Sequence, residues 1–118
     1  MGWYADALKD GQYLHEDRDR ELLAEFARVA GELSREHGGV DAFFEHGGLH
    51  LSACKHALAT ATGRNVDGEV WSPEEVRSVY EAADWRLPAD EHGRMACWNV
   101  KSLLDLCCTF GLGLELNL

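Results

Sequence analysis

Between residues 17 and 37 the apolar positions Leu22, Leu23, Phe26, Val29, Ala30 and Leu33 recur every three or four residues, the period of one helical face. Glu21, Glu25 and Glu32 alternate with Arg18, Arg28 and Arg35 on the opposite face, and Gly38 and Gly39 supply a helix stop. Asp41 can cap a short turn, DAFFEH, before Gly47 and Gly48 interrupt it. A second helix is expected from about 49 to 62. Its small residues Ala53, Cys54, Ala57, Ala59 and Ala61 let a neighbour approach closely, which predicts a central position. The stretch SPEEV is a helix start: Ser72 is the N-cap, Pro73 takes the first helical position and Glu75 completes a capping box. Val76, Val79, Tyr80 and Ala83 carry that helix to about Trp85, and Pro88 prevents extension. From about Asp90 to Phe110 apolar residues cover most of the circumference, so this fourth helix is expected at the core.

The end of the chain follows a different period. In GLGLELNL the leucines at 112, 114, 116 and 118 alternate with Gly113, Glu115 and Asn117, as in a strand. A strand partner would come from the 64–71 loop, or from a second chain by edge addition, which gives a homodimer through the tail. The preferred reading is an extended C-terminal tail laid over the helices. The expected fold is therefore all-α: one domain over 1–118, a compact bundle of four main helices plus one or two short helical turns.

Composition narrows the class. With 46% hydrophobic and 27% charged residues the chain can bury a core without metal or disulfide staples. No apolar run reaches the roughly 18 residues of a membrane span, and the first residues lack a secretory signal, so a cytoplasmic location is expected. Cys54, Cys97, Cys107 and Cys108 sit among apolar neighbours and read as reduced core residues.

Charge adds the functional hint. The net charge is -10, and residues 46–66 contain no carboxylate, so the acids lie in the segments on either side. Glu16, Asp17, Asp19, Glu21 and Glu25 gather at one helix start; Asp67, Glu69, Glu74, Glu75 and Glu81 gather at another. Such a surface repels nucleic acid and anionic membrane and favours a basic protein partner. Trp3, Tyr4 and Tyr13 either fold back over the helices or form an aromatic anchor.

The stretch HGGLHLSACKH, residues 46–56, raises chemical alternatives. His50 and Cys54 are four apart, and Cys97 could join them around a metal. Cys54 also has His50 and Lys55 near it, as an activated thiol would. No CxxC or HExxH spacing supports either, and the stretch reads best as the inner face of a helix. Residues 63–74, GRNVDGEVWSPE, resemble a degenerate EF-hand loop. Counted from Gly63, Asn65 and Asp67 fall at the third and fifth positions, Gly68 at the sixth and Glu74 at the twelfth. Gly63 stands where the first aspartate ligand belongs, so an Asp-Gly turn followed by a capped helix is preferred.

The sequence thus predicts a non-enzymatic, cofactor-free acidic protein that binds, and inhibits or neutralises, a partner with a basic surface. Immunity proteins, antitoxins and phage anti-defence proteins share this size and charge. The alternative is a small helical metal-binding or thiol-dependent protein using His50, Cys54 and Cys97.

Overall fold

The structure is a computed structural model that describes residues 4–37, 48–49, 52–85 and 91–117. Four helices lie near the expected spans: α1 (Arg20–His37), α2 (Ser52–Thr62), α3 (Pro73–Ala82) and α4 (Glu91–Phe110). The capping box forms as read from the sequence. Ser72 Oγ accepts the Glu75 N–H and Glu75 Oε1 accepts the Ser72 N–H, both at 3.2 Å. The short turn expected at DAFFEH lies outside the described residues.

The all-α helical bundle is nonetheless wrong. An antiparallel sheet runs through the molecule, built from β1 (Tyr4–Lys9), β2 (Gln12–Tyr13), β3 (Gly48–Leu49), β4 (Val70–Trp71) and β5 (Gly113–Asn117). The order is β2-β1-β5-β4, with β3 beside β1 as well, so the fold is mixed α/β. Two of these strands begin the chain. Asp10 and Gly11 have φ of 53° and 79°, the paired left-handed conformations of a type I′ loop. They close a two-residue hairpin in which Lys9 faces Gln12 and Leu8 faces Tyr13. Ala5 and Ala7 are poor strand formers by propensity. Their small side chains instead let the inner face of β1 lie close to the helices, and both are buried.

The tail is corrected in the same way. β5 is no overlay but the interior strand, paired with β1 from Leu8↔Gly113 to Tyr4↔Asn117 and with β4 at Val70↔Glu115 and Trp71↔Leu114. Both its edges are occupied within the chain over Leu114–Glu115, which leaves no edge there for the tail-mediated homodimer. β3 corrects a third expectation. Gly48 and Leu49 pair with Asp6 and Ala5 rather than opening α2, which begins at Ser52.

The helices pack on one face of the sheet. Ala5, Ala7, Trp71, Leu114 and Leu116 from that face meet Val100, Leu103, Leu104, Leu106 and Cys107 of α4, with Phe26, Leu58 and Val76 from the other three helices. The alternate residues Asp6, Glu115 and Val70 point to the opposite face. One close approach fixes the β4–β5 junction: a Cβ on Gly113 would lie 2.5 Å from the Trp71 carbonyl oxygen. Only glycine fits there without displacing backbone.

Candidate binding surface

At the start of α1 the acidic residues are mostly engaged by neighbours. Asp19 has no exposed side-chain surface and accepts the His15 N–H at 2.9 Å, Arg18 Nε at 3.1 Å and Lys9 Nζ at 3.4 Å. The His15 hydrogen bond, then the Arg18 guanidinium, hold its carboxyl below the usual aspartate value. Arg18 also donates from Nη1 to Gln12 Oε1 at 2.9 Å and from Nη2 to the Tyr13 carbonyl at 2.7 Å. One guanidinium therefore ties the hairpin to the loop that starts α1. Asp17 pairs with Arg20 at 3.7 Å. Glu25 is bound by Arg28, which also reaches Glu32 at 2.7 Å, and Arg28 holds the Glu25 carboxyl low. Glu16 and Glu21 are exposed.

The 63–71 loop is arranged similarly. Asp67 pairs with Lys55 at 2.8 Å, and Asn65 Oδ1 accepts the Asp67 N–H at 2.8 Å. Glu69 is bound by Arg64 and by Trp71 Nε1 at 3.1 Å, and these donors lower its pKa in that order. Two carboxylates of the EF-hand-like segment, Asp67 and Glu69, thus already face protein cations.

Along α3 the acids stand differently. Glu75 serves the capping box, whereas Glu74 and Glu81 are exposed and form no ion pair or hydrogen bond through their side chains among the described residues. They line a cleft of about 340 Å³ between α3 and the end of α4, together with Pro73, Arg77, Ser78, Cys107, Cys108 and Gly111. The last turn of α4 has no basic residue of its own. Leu112 N–H returns to the Cys107 carbonyl at 2.8 Å across Gly111, as in a Schellman cap. Arg77 Nη2 donates to the Cys108 carbonyl at 3.5 Å. A cation borrowed from α3 therefore sits at the negative end of α4.

The three described thiols are buried or half-buried. Cys97 and Cys107 are buried, and burial pushes both thiols up. Cys108 is half-buried, and burial raises its thiol too, against the opposing pull of Arg77. The side chains of His50 and Cys54 lie outside the described residues, so the alternative site is represented only by Cys97. Among the described residues no three His, Cys, Asp or Glu side chains gather as a metal site requires. On α2, Leu58 is buried and His56 exposed. Of the aromatic set, Trp3 lies outside the described residues, Tyr4 opens β1, and Tyr13 is 55% exposed on β2.

Sequence reasoning missed two features of this surface. Arg77 looked like one base among acids, and nothing in SPEEVRSVY announces a cap on another helix. Glu115 was visible as the polar position of an alternating tail, but its place beside Val70 and Asp6 depends on strand order. No family model matches the chain, and no curated protein or solved structure matches it.

Proposed function

We propose that this protein is a non-catalytic interaction module that binds a partner protein through that partner's basic surface and neutralises it by occupying it. One observation carries the reading. The cations Lys9, Arg18, Arg20, Arg28, Lys55 and Arg64 are engaged in internal ion pairs, whereas Glu21, Glu74 and Glu81 are exposed and unpaired among the described residues. The internal pairs cancel charge locally, so the excess negative charge appears where α3 meets the cleft. A field of that sign steers a cationic partner and disfavours nucleic acid. No helix among the described residues is long and apolar enough to cross a membrane. A reducing, cytoplasmic setting suits the free cysteines at 97, 107 and 108.

The test is the salt dependence of the binary complex, measured by calorimetry once the partner has been isolated. Raising sodium chloride from about 50 to 300 mM should weaken binding about tenfold or more. The double reversal Glu74→Lys with Glu81→Lys should weaken it at least as much at low salt. A complex indifferent to both overturns the reading.

A further inference from the structure

Val70 is 59% exposed, and it lies in β4, the outermost strand on its side of the sheet. Leu116 N–H donates to the Glu69 carbonyl at 2.9 Å and Gly68 N–H to the Leu116 carbonyl at 2.7 Å. Gly68, at φ +80°, and Glu69 thus face a single residue, in a bulge that ends the ladder. By the alternation of an antiparallel pair, Val70↔Glu115 is then of the non-hydrogen-bonded kind. The Val70 N–H and C=O point away from β5 toward the open edge, where they form no other hydrogen bond among the described residues.

The same face carries two carboxylates in register. Val70, Glu115 and Asp6 form one row across three strands, with Glu115 directly opposite Asp6. Glu115 is half-buried and has no ion pair or side-chain hydrogen bond among the described residues. Glu69, the nearest acid on the β4 side, is already held by Arg64 and Trp71.

We propose that the open edge of β4 is a strand-addition site for a short extended segment of a partner protein that carries arginine or lysine opposite Val70. The proposal rests on the basic-partner reading above and gives it a geometry. A strand added at β4 lies about 4.8 Å from it, and its residue opposite Val70 continues the row toward Glu115. The aliphatic stem of a long basic side chain covers Val70 while its charged head reaches Glu115. Backbone pairing at Val70 supplies the docking contact, as in other strand additions. A second copy of this chain fits poorly, because β4 is only Val70–Trp71 and edge-to-edge pairing would place no arginine or lysine of that strand opposite Val70.

The experiment titrates the full chain, isotope-labelled for NMR, with the peptide Thr-Thr-Val-Arg-Val-Thr-Thr and with the same peptide bearing Glu for Arg. The arginine peptide should shift the Val70 and Glu115 amides and slow Val70 amide exchange about tenfold; the glutamate peptide should do neither. Glu115→Gln, which leaves the backbone unaltered, should weaken the arginine peptide about fivefold. Val70→Pro removes the edge N–H where proline is tolerated and should abolish binding. Shifts confined to Glu74 and Glu81 would overturn strand addition and leave the basic-partner reading standing. Equal responses to both peptides, or none to either, would overturn the strand proposal at Glu115. A dimer in sedimentation of the peptide-free chain, with the Val70 amide already protected, would assign the edge to a second copy and also overturn it.

Discussion

Asp19 and Glu81 belong to two acid-rich stretches that look alike in sequence and differ in the folded chain. Around Asp19, Lys9 and Arg18 converge from the hairpin and the loop, and the carboxylate disappears from the surface. Around Glu81 the nearest base, Arg77, turns to a carbonyl at the end of α4, and the carboxylate stays open. The first arrangement makes a joint; the second makes a surface. The difference teaches that the number of acids in a segment says little about what they do. What decides is whether tertiary structure brings a cation to them.

The largest expected break in this comparison is Asp19→Ala. It leaves the His15 N–H and two cations without their acceptor and should lower Tm by about 10 °C, read by calorimetry. Acid titration sharpens the point. The folded pKa of Asp19 lies below its ordinary value near 3.8, so in that interval the unfolded chain binds more protons. Its contribution is complete above the ordinary value and is lost as pH falls through the depressed one. Wild-type stability should fall in that interval, and Asp19→Asn should flatten the fall.

Gly113→Ala tests the scaffold of the open surface. With a Cβ 2.5 Å from the Trp71 carbonyl, β4 must move, at about 2 kcal/mol by urea denaturation. Arg77→Ala removes the borrowed cation at the end of α4 and should cost about 0.5 kcal/mol, an effect that salt reduces. The smallest stability change belongs to Glu74→Lys with Glu81→Lys. Each exposed substitution should stay within about 0.5 kcal/mol, although partner binding should weaken about tenfold or more. If that pair destabilised the chain as much as Asp19→Ala, the distinction between joint and surface would fail.

The helices were legible because their signals are local. Period, the capping box at Ser72 and glycine stops need no knowledge of distant residues, and all four helices fall near their expected spans. The sheet was harder for a physical reason. β1 reads YADALK, with alanine and aspartate in place of branched or aromatic residues, and becomes a strand through pairing with β5 at the far end of the chain. Its one local signal, Asp10-Gly11, was present but flanked by no clear alternation. β5 did announce its period, yet the period does not say which strands lie beside it. The acidic site was legible as residues and not as roles: sequence distance hides Lys9 from Asp19 and Lys55 from Asp67.

The pairing of β1 with β5 also has a consequence for biosynthesis. β1 must wait for a neighbour encoded roughly 100 residues later, and closing a loop of that length costs about 4 kcal/mol of chain entropy. Until residues 113–117 emerge, the hairpin has no inner companion and the leucine-lined layer beneath it cannot form. The sheet therefore assembles late, once residues 113–117 are available, and a chain truncated before residue 113 would leave both α4 and β1 uncovered.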